Sequence, residues 1–179
     1  MKYNSFKPVK VYKTIYDIDY ESLYNDGKRF IIFDLDNTII PYSIDTPQND
    51  SIELINRLKN IGFTCLILSN NHNERLYRAS RTLNIDYIAN AMKPFKKGYK
   101  RILKKYDNNP NLYFAIGDQL ITDVKGASRC KIDCILVKPI DRSSEHWYTK
   151  INRAMESFVL KCIKKSDFEL YQEIMNIRG

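Results

Sequence analysis

The chain has 179 residues, enough for one domain with a real core and too few for two ordinary ones. A hydrophobic fraction of 44% with 28% charged residues excludes a disordered chain. No run approaches the roughly 18 apolar residues of a membrane span, and the opening MKYNSFKPVKVYK lacks the apolar middle of a signal peptide, so a cytoplasmic protein is expected.

The net charge of +8 is unevenly spread. KPFKKGYKRILKK (93–105) holds seven Lys/Arg and no acid, and the first thirteen residues hold four Lys and no acid. These stretches exceed the whole net charge and favour an anionic partner or substrate. Cys65, Cys130, Cys134 and Cys162 lack CxxC spacing and read as reduced core thiols rather than metal ligands.

In chain order, RFIIFDL (29–35) is a continuous apolar run with the look of a strand buried on both faces. NTIIPYSIDTPQND is loop-like. Thr46 and Pro47 suit the N-cap and first position of a helix running to about Asn60, and Gly62 suits its stop. FTCLILS (63–69) is a second buried strand, and NNHNERLYRASRTL a helix. DYIANA (86–91), LYFAIGD (112–118) and DCILVK (133–138) complete five strands. The basic helix PFKKGYKRILKKY and the short helix LITDVKGASRC lie between them.

Strict alternation of strand and helix predicts an α/β, doubly wound, mostly parallel five-stranded sheet. One domain is expected over 1–179, with its core at about 28–140 and a C-terminal helical extension at about 144–177. In such sheets the ligand crevice lies beyond the carboxyl ends of the strands, where the strand order reverses. Asp34 and Asp36, Ser69 and Asn70, Lys93, and Asp118 with Asp123 all fall at or just after predicted strand ends, so they should converge.

Asp34 and Asp36 are two apart and point the same way while the backbone stays extended. With Asp118 and Asp123 they put up to four carboxylates at one mouth, too repulsive an arrangement without a cation. All these ligands are oxygens, which selects a hard ion such as Mg²⁺. A Ser hydroxyl, helix-opening N–H groups and a Lys ammonium suit phosphate oxygens. A carboxylate can act as nucleophile in phosphoryl transfer, with a second as acid and then base.

DLDNT, the strand ending in SNN, the isolated KP and GDQLITD resemble, in order and at fitting separations, the four motifs of the haloacid dehalogenase (HAD) superfamily of phosphatases. The resemblance implies Asp34 as nucleophile and Asp36 as general acid/base. It implies Mg²⁺ held by the Asp34 carboxylate, the Asp36 backbone carbonyl and Asp118, with Asp123 supporting the metal shell or Lys93. Thr38, Ser69, Asn70 and Lys93 would then serve the substrate phosphate. SNNHNERLYR, the longer GDQLITDV stretch and TKINR (149–153) extend the likeness over roughly residues 10–165. They resemble the YqeG-type class IIIA branch, whose members include phosphatidylglycerophosphate phosphatases.

Neither the gap from Asp36 to Ser69 nor that from Ser69 to Lys93 has room for a cap domain. An open site implies, by the same resemblance, large or surface-held substrates. The expected activity is therefore a phosphomonoester hydrolase with a lipid headgroup as substrate. A phosphatase for a soluble metabolite or nucleotide, and a non-catalytic basic module for RNA or membrane, stand as alternatives. No specific nucleic acid partner is expected, since the aromatic signature of a single-strand reader is missing.

Lys96, Lys97, Lys100, Arg101, Lys104 and Lys105 make one face of the basic helix, opposite Phe95, Tyr99, Ile102, Leu103 and Tyr106. That face is either a solvated surface or a contact for anionic lipid. In the tail, Ile151, Ala154, Met155, Phe158, Val159, Cys162 and Ile163 form an amphipathic stripe that packs on the domain or docks on a membrane surface. His72 and His146 read as surface or capping residues.

Overall fold

The computed structural model describes residues 3–72, 74–143 and 147–178, apart from the side chains of residues 3 and 147–153. The strands are β1 (Lys10–Tyr12), β2 (Phe30–Phe33), β3 (Thr64–Leu68), β4 (Asp86–Ile88), β5 (Tyr113–Gly117) and β6 (Asp133–Val137). The helices are α1 (Tyr20–Asn25), α2 (Asn49–Ile61), α3 (Glu74–Leu83), α4 (Lys97–Lys105), α5 (Lys125–Ser128), α6 (Trp147–Ser166) and α7 (Phe168–Arg178). A π-helical turn, Leu120–Val124, precedes α5.

The strands form one parallel sheet in the order β1-β6-β5-β2-β3-β4. From β2 the chain winds outward through β3 and β4, then returns to β5 and winds the other way, so the order reverses between β2 and β5. The α/β doubly wound architecture agrees with expectation, and the strand count is six rather than five. The additional strand, β1, is three residues long and carries an exposed lysine, so it has no apolar run to reveal it. It pairs with β6 from Lys10↔Ile135 to Tyr12↔Val137.

Strand alternation divides the core in two. Ile31, Phe33, Cys65, Ile67, Phe114 and Ile116 face α1, α2 and α3. Ile32, Leu66, Tyr113, Ala115 and Cys134 face α4, α5 and the tail. α2 starts at Asn49 with Gln48 as its N-cap, later than the Thr46–Pro47 start that the sequence suggests, because residues up to Gln48 belong to the loop after β2. It stops at Gly62, whose φ of 115° places it in the left-handed region where glycine is favoured. Cys65 and Cys134 are buried, Cys130 and Cys162 half-buried, and all four are free thiols.

The expected single tail helix is two helices, and its buried stripe differs from the apolar one. Glu156, Val159 and Ile163 point inward, Cys162 is half-buried, and Ala154, Met155 and Phe158 face solvent. The reason is polar: Glu156, 1% exposed, accepts from the Leu120 backbone N–H and from Arg178 Nη2 at 3.0 Å. This carboxylate therefore ties α6 to the end of α7 and to the first residue of the π-helical turn. The stripe's Ile151, the TKINR motif and His146 lie outside the described side chains, and His72 is exposed.

Removing one partner of a buried ion pair leaves an uncompensated charge. Arg178→Ala should accordingly cost about 3 kcal/mol, which denaturant unfolding would read directly. A loss under about 0.5 kcal/mol, typical of a surface change, would show the pair to be solvated.

Candidate active site

The catalytic-type side chains come from the carboxyl side of the sheet: from the ends of β2, β3 and β5, the turn after β4 and the π-helical turn. Asp34 follows β2 and its N–H donates to Ile116 O of β5 at 2.9 Å, which continues the ladder up to the carboxylate. Asp36 and Thr38 flank Asn37, a residue in the left-handed region with φ 63°, a conformation that Asn tolerates. The Asn37 N–H closes this turn on Ile40 O at 2.7 Å. Ser69 follows β3, Lys93 the turn after β4, and Asp118 follows β5.

The centre is the Lys93 ammonium. Nζ is 2.5 Å from Asp34 Oδ1 and 2.6 Å from Asp123 Oδ1, with all three side chains at or below 10% exposure. Asp34, Asp118 and Asp123 bring carboxylate oxygens within 4.8 Å of one another. Burial pushes the Asp34 carboxyl well above the usual carboxylate range, the Lys93 ammonium pulls it back, and the neighbouring aspartates push it up again. Burial alone would lower Lys93, but Asp123 and Asp34 outweigh it and hold the ammonium above the ordinary lysine range. These two shifts oppose each other within one pair. Two carboxylate contacts at hydrogen-bond length favour the ionised form, because an ammonium has only donors to offer and gains most from charged acceptors.

Lys93 is itself positioned through its backbone. Its N–H donates to Asn70 Oδ1 at 2.7 Å, and Asn70 Nδ2 donates to Lys93 O at 3.1 Å. The Asn70 amide thereby holds the lysine's main chain in place, a contact the sequence does not reveal. Ser69 Oγ is buried and accepts from Asn71 N–H at 3.1 Å. Thr38 Oγ1 is buried with no hydrogen-bond partner among the described residues. Gly117 has to be glycine, since a Cβ there would overlap the Asp123 carboxyl group.

The sequence puts up to four carboxylates at one mouth, and the structure groups three of them, Asp34, Asp118 and Asp123. Asp36 turns its carboxylate away from that cluster and accepts from Asn71 Nδ2 at 2.7 Å and from Arg75 Nη1. The divergence follows from the end of β2 at Phe33: beyond it the backbone is no longer extended, so residues two apart no longer share a direction.

Arg75 is a buried charge beside the site that sequence reasoning missed. Its side chain is 9% exposed. Besides Asp36 it donates through Nε to Ile44 O at 2.8 Å and through Nη2 to Pro41 O at 2.5 Å. One guanidinium therefore joins α3, Asp36 and the loop after β2. The signal was present: Leu76, Ala79, Ser80 and Leu83 define the buried face of α3, and Arg75 lies one turn before Ala79 on that face. A charge there must find a buried partner.

The donor set fits a hard divalent cation. Its members are carboxylates, and three carboxylates against the one ammonium that contacts two of them leave two negative charges for a cation to balance. Asp36 could reach such an ion through its backbone carbonyl only, its carboxylate being held elsewhere. Between Asp36 and Ser69 the chain forms a loop, α2 and β3, and between Ser69 and Lys93 it forms α3 and β4, so no additional domain covers the crevice from either segment.

A HAD-hydrolase-like family model matches residues 90–156. Over 168 residues the chain is 33% identical to "Probable phosphatase YqeG" of Bacillus subtilis (strain 168), covering 94% of this chain and 97% of that one. Among solved structures, the cobalt-bound deoxy-D-mannose-octulosonate 8-phosphate phosphatase (YrbI) of Haemophilus influenzae is similar with a TM-score of 0.51 at 16% identity, over 84% of this chain and 98% of that one. An uncharacterized protein from Listeria monocytogenes serotype 4b matches with a TM-score of 0.51 at 19% identity, over 64% and 84% of the respective chains. At these identities the two structures bear on the fold alone. The near full-length relationship at 33% identity decides the family: the chain belongs to the HAD superfamily of phosphatases, in its YqeG-type branch.

Proposed function

We propose that the protein is a Mg²⁺-dependent phosphomonoester hydrolase that works through an aspartyl-phosphate on Asp34, with phosphatidylglycerophosphate as substrate. The observation that carries this reading is the buried ammonium of Lys93 between Asp34 and Asp123, beside Asp118 and at the switch point of the sheet.

With Asp36 carrying a proton on the oxygen that otherwise accepts from Asn71, an Asp34 carboxylate oxygen attacks phosphorus, the ester P–O bond breaks, and the leaving alkoxide takes that proton. Asp36 then takes a proton from water, the water oxygen attacks phosphorus, and the bond to Asp34 breaks to release inorganic phosphate and the free carboxylate. Lys93 neutralises charge on nucleophile and phosphate together. Thr38 Oγ1 and the Ser69 hydroxyl donate to phosphate oxygens. Arg75 and Asn71 act as positioning residues that hold Asp36 to the leaving-group side. Asp34, Asp118, Asp123 and the Asp36 carbonyl would hold the Mg²⁺. When bound, the ion screens the phosphoryl oxygens from the attacking carboxylate.

The lipid substrate rests on the uncapped crevice and on the neighbouring surface. Lys96, Lys97, Lys100, Arg101, Lys104 and Lys105 are all exposed on one face of the basic helix, while Tyr99, Ile102 and Leu103 are buried on the other. Met155, Phe158 and Phe168 are exposed on the tail. Among the described residues no helix is long and apolar enough to cross a membrane. Together these support a cytoplasmic enzyme that meets anionic lipid at the bilayer surface, where each engaged Lys or Arg contributes about 1 kcal/mol.

Asp34→Asn should abolish phosphate release from phosphatidylglycerophosphate in mixed micelles while leaving far-UV circular dichroism unchanged; retained turnover would remove Asp34 from the chemistry. Native protein that ignores the lipid and hydrolyses nucleotides or sugar phosphates would favour a soluble substrate. Saturating Mg²⁺ at about 100 times its Kd should raise Tm by about 5–10 °C, and a chelator should reverse the shift. Arg75→Gln should lower kcat by about 10²-fold with a smaller change in KM. Equal losses in the two parameters would instead indicate a general structural role.

A further inference from the structure

Next to the carboxylate cluster, the carboxyl ends of β1 and β6 open into a cleft of about 450 Å³. It shares a wall with the catalytic loop, because Thr38, Ile39 and Ile40 line it. The opposite wall, Val137–Ile140, is fastened to the same loop. Ile140 N–H donates to Asn37 O at 3.1 Å and Asp141 N–H to Asn37 Oδ1 at 3.2 Å. Asn37 stands between Asp36 and Thr38, so the cleft is built into the turn that carries them.

The interior is mostly apolar, and among its polar members Thr14 bonds Asp17 while Tyr16 bonds Ser51. Ile15, Ile39, Ile40 and Val137 are buried within its lining, and Ile140, 52% exposed, stands at the mouth. Pro41 and Pro139 add walls without a backbone N–H to donate. Lys13 and Lys138 are at the rim with one acid, Asp50. Small-molecule sites run from about 300 to 1,000 Å³ and are mostly apolar with a few placed polar groups, as this cleft is.

Transfer of a phosphoryl group to a carboxylate needs charges and donors and makes no use of an isoleucine-lined cleft. The cleft therefore speaks to the rest of the substrate. A sugar or nucleoside would press hydroxyls against Ile39, Ile40 and Ile140, and could recruit the Thr14, Tyr16 and Ser51 hydroxyls only by competing with the bonds these already make, which costs free energy. A hydrocarbon chain would lose only water. We propose that this cleft is the subsite for a hydrocarbon chain of the phosphate monoester, with Lys13 and Lys138 receiving a second anionic group between the ester and the chain. The assignment rests on the phosphatase reading above and adds where the remainder of the substrate lies.

The test is turnover of straight-chain alkyl phosphates, methyl to octyl, each below its micelle concentration, with Mg²⁺ and the full chain. Each methylene that enters the cleft should raise kcat/KM by up to about fourfold. In Ile140→Glu the rise should flatten, and Ile140→Ser gives a milder change should the first variant melt early. A native profile independent of chain length, a slope unaltered in both variants, or a rise seen only above the micelle concentration would each overturn the subsite. Failure to hydrolyse any member would instead overturn the phosphatase reading on which it rests.

Discussion

A buried ammonium shared by two buried carboxylates is the constraint around which this molecule is arranged. Lys93, Asp34 and Asp123 come from three separate parts of the chain, and none could be buried alone without a penalty of several kcal/mol. Their burial is tolerable only if the ends of β2 and β5, the turn after β4 and the π-helical turn meet within hydrogen-bond distance. Much local detail serves that meeting. The Asn70 amide clamps the Lys93 backbone, the absent Cβ at Gly117 makes room for Asp123, and Gly126 allows Tyr99 and the Pro94 backbone to approach α5. The balance of charge still leaves the cluster negative, and for that reason a cation belongs to the account.

Around this centre the sheet assigns roles by position. Its reversal between β2 and β5 opens the crevice where the charged groups end, and the two core faces are filled by different helices. Arg75 connects the second aspartate to the loop after β2, and Glu156 connects the tail to the π-helical turn that carries Asp123. In both cases a buried charge couples a peripheral element to the site. The apolar cleft at β1 and β6 gives the outer strand a use beyond closing the sheet.

The alternating pattern made most of the fold legible because β2, β3, β5 and β6 are apolar on both faces, an unmistakable mark of a covered parallel sheet. β1 escaped because KVY has no such run and is held by pairing with β6 rather than by its own composition. The tail was half legible. Its 3,4 spacing announced an amphipathic helix, but the inward face was decided by Glu156 and its partners, which hydrophobicity cannot see. At the site, the carboxylates, Ser69 and Lys93 were legible as strand-end residues. Directions were not: Asp36 turns toward Arg75 because the strand has ended, and Asn70 bonds a backbone that only the fold brings within reach.

Mass spectrometry of protein acid-quenched during turnover of a phosphate monoester tests the central claim most directly. A phosphoryl adduct on the peptide bearing Asp34, formed with Mg²⁺ and missing after chelation, is the predicted result. An adduct on another residue, or one that forms equally without a divalent ion, would contradict it.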